Sequence, residues 1–249
     1  MSTTSKIEWT EQTWNPVTGC TKISAGCKHC YAETMAARLH AMGTPGYEHG
    51  FELTLAPNRL ADPLKRRKPT TYFVNSMSDL FHEKVPFEYI DQVFAVIAQT
   101  PQHTYQILTK RAQRMSRYFG SGRVVPDNAW MGVSVENRRH GVPRIAQLRK
   151  VSARIRFLSV EPLLEDLGAL DLAGIHWVIV GGESGPKARP MKPQWAESVQ
   201  DQCEQQQVAF FFKQWGGWGA DGQRRAKALN GRTLRGRIWD EMPLASALG

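Results

Sequence analysis

No apolar stretch in this 249-residue sequence approaches the ~18 consecutive residues that a bilayer-spanning helix requires. The opening residues, Met1 to Trp9, carry no apolar core of a secretory leader. A cytoplasmic protein without a membrane role is therefore expected. Cysteine is scarce, with four in the chain, and three of them crowd between positions 20 and 30. That crowding argues against the evenly spread, paired cysteines of a secreted disulfide scaffold and for a metal site in a reducing compartment. Internal repeats and low-complexity blocks are also missing, which excludes solenoids and long disordered tails. Acids are in deficit: 23 Asp and Glu stand against 32 Lys and Arg, a net charge of +9. An excess of this size favours polyanionic partners.

Against those absences, short apolar runs rich in β-formers recur along the chain. They are Thr71 to Asn75, Thr104 to Leu108, Trp130 to Val135, Ile155 to Val160, Trp177 to Val180 and Val208 to Phe212, with a further strand near Trp9 to Trp14. Continuous rather than alternating hydrophobicity predicts strands buried on both faces, as in a parallel sheet. Helical spacing lies between them. Phe87 to Gln99 places Ile90, Phe94 and Ile97 on one face; Pro143 to Lys150, Pro193 to Gln206 and Tyr31 to Met42 also read as helices. Strands alternating with helices predict βαβ units and an α/β fold, an open or partial (β/α) barrel with parallel strands, with a doubly wound sheet as the alternative. One large domain is expected over residues 1–219. Residues 220–249 would form a basic extension packed on it, since Arg224, Arg225, Lys227, Arg232, Arg235 and Arg237 there face one acid, Asp221, over positions 221–237.

Polar residues follow five of the predicted strands: Asn75, Ser76 and Asp79; Lys110 and Arg111; Ser134 and Glu136; Glu161; and Gly181-Gly182-Glu183. The carboxyl ends of parallel strands form the active-site rim in α/β folds. A single such residue reads as a helix cap, but recurrence at five ends predicts a site.

The densest chemistry is Gly19-Cys20-Thr-Lys-Ile-Ser-Ala-Gly-Cys27-Lys-His-Cys30-Tyr31, a C-x6-C-x2-C pattern. Thiolates are soft ligands that suit zinc or iron–sulfur clusters. A closed zinc site needs a fourth ligand. His29 sits awkwardly between Cys27 and Cys30, and His40 or His49 are the other candidates. Alternatively, three thiolates hold three irons of a [4Fe–4S] cluster and leave the fourth iron open. Cys203, in a predicted helix, reads as a small buried hydrophobe.

The segment resembles the cluster loop of radical S-adenosylmethionine enzymes, in particular the spore photoproduct lyase-like branch. The shared features are Asn15-Pro16, Gly19-Cys20 and Cys27-x-x-Cys30-Tyr31-Ala32. It is closer still to a small phage-associated family with a three-cysteine signature of this wider spacing. The resemblance runs over roughly residues 10–215 and includes Leu55 to Asn58, Tyr72 to Ser76, Ser78-Asp79, Thr109-Lys110 and Ser134. It implies that Cys20, Cys27 and Cys30 hold a [4Fe–4S] cluster. It also implies that Ser76, Lys110 and Ser134, with Asn75 and Glu136 beside them, contact S-adenosylmethionine. An electron donor such as flavodoxin or ferredoxin would reduce the cluster. Asp79, Glu161 and Glu183 are candidate catalytic groups for substrate or proton handling. Two departures stand out. Three extra residues separate Cys20 from Cys27 relative to the usual C-x3-C-x2-C, and Asn75-Ser76-Met77 replaces the Gly-Gly-Glu that commonly follows the second strand. Gly181-Gly182-Glu183 occurs after a different strand, so the amino-group role is not carried over to Glu183.

A nucleotide, DNA or RNA substrate is expected from the basic segments Lys65 to Lys68, Arg111 to Arg117, Arg138-Arg139 and Arg224 to Arg237, with Trp215, Trp218 and Trp239 available to stack bases. A non-enzymatic, zinc-stabilised nucleic-acid-binding protein is the rival, and it leaves the five polar strand ends unexplained.

Overall fold

The computed structural model describes residues 3–4 and 7–243. The chain forms two compact units. The first comprises residues 1–23, 30–132 and 150–154, and the second residues 24–29, 133–149 and 155–249.

In the first unit, β1 (Thr3–Thr4) pairs antiparallel with β2 (Gln12–Trp14). A two-residue hairpin, β3 (Val17–Thr18) with β4 (Thr54–Leu55), encloses α1 (Tyr31–Ala41). Strand β5 (Thr71–Val74) then lies parallel between β2 and β6 (Thr104–Thr109), with Tyr72 opposite Gln12 on one side and Tyr105 on the other. Helices α2 (Phe87–Gln99) and α3 (Ala112–Gly120) follow β5 and β6. Helix α2 forms because Ile90, Val93, Phe94 and Ile97 recur at helical spacing and all are buried. Side-chain capping is absent at its start, where Pro86 supplies the extended entry. The core holds Trp14, Tyr72, Tyr105, Phe81 and Tyr118, with Tyr72 and Tyr105 stacked across the β5–β6 pair.

Strand β7 (Ala129–Ser134) carries the chain into the second unit, followed by α4 (Val142–Arg149). Strands β8 (Ile155–Val160), β9 (Trp177–Gly181) and β10 (Ala209–Gln214) are parallel in chain order, with α5 (Pro193–Gln205) between β9 and β10 and the single turn α6 (Lys227–Asn230) near the end. All five β9 residues are buried, as expected for a strand covered on both faces. The fold class is thus α/β, a partial (β/α) barrel of parallel strands.

The tryptophans from Trp215 onward depart from expectation. Trp215 and Trp239 are core residues rather than stacking platforms. Their indole N–H groups donate to the Thr233 and Leu234 carbonyls at 2.9 Å, and Trp239 meets Phe210 edge-on. Trp218 is partly buried, and its indole donates to the Ala188 carbonyl. The Phe212 amide donates to the Trp239 carbonyl, so the tail runs along β10. Residues 244–249 of the expected extension lie outside the described residues.

Candidate functional site

The cysteine loop begins directly after β3, and the segment following β5 fixes its start. The Gly19 amide donates to the Met77 carbonyl at 3.0 Å, and the Cys20 amide to the Phe51 carbonyl at 3.2 Å. Gly19 has φ +76, and a Cβ there would lie 2.0 Å from the Glu52 carbonyl oxygen, so only glycine fits. Ser78 Oγ donates to the Val17 carbonyl, and the Val17 amide donates to Asn75 Oδ1. Asn75 itself sits at φ +58, a left-handed conformation asparagine tolerates. Ser76 Oγ and the Met77 amide both donate to Asn15 Oδ1 at 3.1 Å. Asn75 and Ser76 therefore hold the Asn15–Cys20 segment. The Asn75 side-chain nitrogen Nδ2 is buried without a partner, one spare donor beside the loop, while its backbone amide donates to the Trp14 carbonyl at 2.8 Å.

At the end of β6 lies a buried charge network. Asp79 is 5% exposed. Its Oδ1 accepts from Thr109 Oγ1 (2.7 Å) and the Phe81 amide (3.0 Å), its Oδ2 from the Lys110 amide (3.0 Å) and Arg111 Nη1 (3.1 Å). Arg111 Nε donates to Glu83 at 2.8 Å, Nη1 also to Cys20 Sγ at 3.4 Å, and Nη2 to both the carbonyl and the hydroxyl of Thr21. Burial alone would favour the neutral guanidine, but the Asp79 and Cys20 charges outweigh it and raise the Arg111 pKa. His82 Nε2 lies 2.9 Å from Thr21 Oγ1; burial, then the Arg111 charge, lowers its pKa. Lys110 is partly buried at the same strand end. Cys30 starts α1 and packs beside Ala32, Ala36, Tyr47 and Met77.

In the second unit the loop closes as a short 3₁₀ turn, Ala25–Cys27, with Ser24 Oγ 3.7 Å from Cys27 Sγ. Gly26 rests on Glu136, whose side chain would lie 3.0 Å from a Cβ at that position. Glu136 is fully buried and forked by Arg144 at 2.6 and 3.3 Å, while Arg144 also donates to the Ser134 carbonyl. Glu183 is forked by Arg189 at 2.5 and 2.8 Å and accepts from the Arg189 amide. Arg189 Nη2 donates onward to the Ala25 carbonyl at 3.0 Å. Burial alone would raise the Glu183 pKa, but the Arg189 hydrogen bonds win and hold it below the usual carboxylate value. Glu161 pairs with Lys213 at 2.8 Å and lies 3.3 Å from Ser159 Oγ.

The sequence reading missed the role of three arginines: Arg144 and Arg189 escaped it altogether, and Arg111 was read only as a polar strand end and part of a basic segment. Each neutralises one of the acids singled out at strand ends. The signal was present for two of them, since Glu136–Arg144 and Glu183–Arg189 lie within eight and six residues in sequence. Among the basic tail residues, Arg225 pairs with Asp221, Arg232 with Asp240 and Arg235 with Asp201, and Arg237 covers the Trp239 ring. The segment Arg111 to Arg117 is α3 with its N-terminal neighbour; Ala112, Met115, Tyr118 and Phe119 are buried, and Arg114 and Arg123 lie over the Phe87 ring.

Among solved structures, the chain is similar to spore photoproduct lyases. It matches a variant with dinucleoside spore photoproduct at 14% identity and a TM-score of 0.51, covering 81% of this chain and 63% of that one. A complex with the same ligand matches at 14% identity and 0.49, covering 81% and 63%. A variant with bound AdoMet and the dinucleoside spore photoproduct matches at 16% and 0.47, covering 73% and 58%. The chain thus spans about six-tenths of the length of these lyases, and at such identity the likeness shows the fold. No curated protein matches the sequence. A family model described as a protein of unknown function, DUF5131, matches residues 4–243, nearly the whole chain, and the protein belongs to that family.

Proposed function

We propose that the chain is a radical S-adenosylmethionine enzyme acting on a nucleotide or nucleic acid. The observation that carries this is the three-thiol loop. Cys20, Cys27 and Cys30 are partly exposed and follow segments that hydrogen bonds hold in place. Three thiolates suit a [4Fe–4S] cluster, in which each takes its own iron and the fourth iron stays open, whereas a closed zinc site needs a fourth ligand.

When bound, the cluster and S-adenosylmethionine supply one-electron cleavage of a carbon–sulfur bond and a radical that takes hydrogen from substrate. The chain's own residues do the positioning. Cys20, Cys27 and Cys30 would be the ligands. The unpartnered Asn75 Nδ2 is a donor for a cofactor oxygen. Lys110 offers a cation to the cofactor carboxylate, and Ser76, Ser134 and Glu136 are the remaining candidate contacts. Asp79, Glu161 and Glu183 are each held by a cation, so proton handling by any of them requires that cation to move first. Support for a nucleic-acid-type substrate comes from the net charge of +9, from exposed Arg67, Lys68 and Arg139, and from the dinucleoside ligand of the fold relative.

The test is anaerobic reconstitution with iron and sulfide analysis, followed by reduction with S-adenosylmethionine. A brown protein that forms 5′-deoxyadenosine, and loses both properties in Cys20→Ala, Cys27→Ala and Cys30→Ala, is expected. A colourless, zinc-loaded protein would overturn the proposal in favour of a zinc-stabilised binding protein.

A further inference from the structure

Arg111 is an uncommon arginine. Its side chain is 3% exposed, although it follows a strand end where polar residues face a site. A guanidinium has five N–H donors, and all are used: Glu83, Asp79, Cys20 Sγ, the Thr21 carbonyl and the Thr21 hydroxyl. No donor remains for a phosphate or a cofactor carboxylate, so Arg111 is not a substrate clamp. Neutralising Asp79 would take one or two of the five. Three others go to Cys20 and the residue after it. The guanidinium is itself locked from behind, because Thr109 Oγ1 and the Lys110 amide hold Asp79, and the Arg111 amide donates to Thr109 Oγ1. Sequence offers no hint of the pairing, since Cys20 and Arg111 are 91 residues apart.

We propose that Arg111 is a positioning residue for the cluster ligand Cys20, fixing its sulfur through the N–H···S bond and the Thr21 fork and raising the reduction potential of the cluster. This rests on the iron–sulfur reading above. The physical ground is charge. One-electron reduction adds negative charge to the cluster and its thiolates, and a fixed cation hydrogen-bonded to one of those sulfurs stabilises the reduced state more than the oxidised one. Burial strengthens the effect by keeping water from screening it.

The test is a redox titration followed by electron paramagnetic resonance on the reconstituted full chain, with iron and sulfide measured on every sample. Arg111→Lys keeps a cation beside Asp79 but cannot make the fork; Arg111→Met removes the charge as well. The expected order of midpoint potentials is wild type highest, Arg111→Lys lower, and Arg111→Met lowest. Should Arg111→Met fail to fold, the Arg111→Lys shift alone decides. A full cluster in Arg111→Lys at the wild-type midpoint overturns the proposal and leaves Arg111 a structural brace. Wild type without iron and sulfide overturns the parent reading instead, so the two failures are distinguishable.

Discussion

The Asp79–Arg111 pair makes a quantitative stability prediction. Both side chains are almost fully buried, 7% and 3% exposed, with Nη1 and Oδ2 3.1 Å apart. Breaking a buried pair by removing one partner costs about 3–5 kcal/mol, because the other charge is left uncompensated. Asp79→Asn preserves shape and the Oδ1 acceptor for Thr109 and Phe81 while removing the charge. Glu83 still reaches Arg111 Nε, but its own side chain is 60% exposed and a weaker counter-charge. The low end, about 3 kcal/mol, is therefore expected, equivalent to a drop in Tm of roughly 6–12 °C for a chain of this size.

Arg111→Met should cost a similar amount, since Asp79 is then the orphan. The double variant leaves neither charge uncompensated and should cost clearly less than the two single variants added together, because replacing a whole buried pair is often near neutral. Urea unfolding of the three variants and wild type gives the coupling energy. The chain has two compact units, so coincidence of fluorescence and circular dichroism transitions must be established before one free energy is quoted. Costs that add to within about 0.5 kcal/mol would mean the two residues do not depend on each other, and the reasoning from burial would fail.

Further outcomes follow from the same geometry. Burial, with a smaller push from the Glu241 carboxylate, raises the Cys203 thiol pKa to about 12, so alkylation at neutral pH should spare it while labelling Cys20, Cys27 and Cys30 of the iron-free chain; Cys203→Ala should keep iron content unchanged. Lys110→Ala and Ser134→Ala should each weaken S-adenosylmethionine binding by about tenfold, the loss of roughly one charged or buried hydrogen bond, with iron content intact; calorimetry at wild-type affinity for both would remove them from the pocket. His176 accepts the Arg156 amide through Nδ1, and burial, then the Arg156 charge, lowers its pKa below the usual histidine value. The unfolded chain thus binds the proton more readily, so this stabilisation is complete above about pH 6.5 and is lost as pH falls through the lowered folded pKa. Urea midpoints between pH 5 and 8 should fall more steeply on acidification in wild type than in His176→Ala; equal slopes would show that His176 does not titrate in this way.

What the sequence disclosed depended on how local the cause was. The parallel strands were legible because burial on both faces writes a continuous apolar run, as in Trp177–Gly181. Helix α2 was legible because its apolar stripe is complete, and its expected bounds match. Helix α3 was read as a basic stretch instead, since Arg114 and Arg117 interrupt the eye while Ala112, Met115, Tyr118 and Phe119 form the buried face. The hairpin of β3 with β4 has two residues per strand, too few for any periodicity, and its partners are some 37 positions apart. The ion pairs of the tail were hidden for a related reason. Counting Arg against Asp within 221–237 finds one acid, but Arg235 pairs with Asp201, 34 residues upstream, and Arg232 with Asp240 just past the window. For the site, the cysteines and the acids were visible as residue types, whereas the arginine facing Asp79 was set by strand pairing that no local pattern encodes.

Those arginines also bear on the widened spacing of the cysteine motif. Three extra residues between Cys20 and Cys27 would matter little if they merely lengthened a slack loop, and a slack loop would place a cluster ligand poorly. The loop is not slack. Arg111 holds Thr21 by two hydrogen bonds and Cys20 by its sulfur. Arg189 holds the Ala25 carbonyl, and Gly26 lies against Glu136, where a methyl group would crowd a carboxylate already forked by Arg144. Residues Ala25–Cys27 use the added length to form a 3₁₀ turn. Arg111 and Arg189 each belong to an ion pair that follows a strand, so within each unit the strand ends hold that unit's part of the loop through charge-assisted hydrogen bonds, the stronger kind. Of the acids that resemble catalytic groups in sequence, Asp79 and Glu183 anchor the arginines that grip the loop, while Glu161 pairs with Lys213. Loss of an anchor should therefore appear first as disordered ligation, seen as low iron occupancy, and only through that as lost turnover.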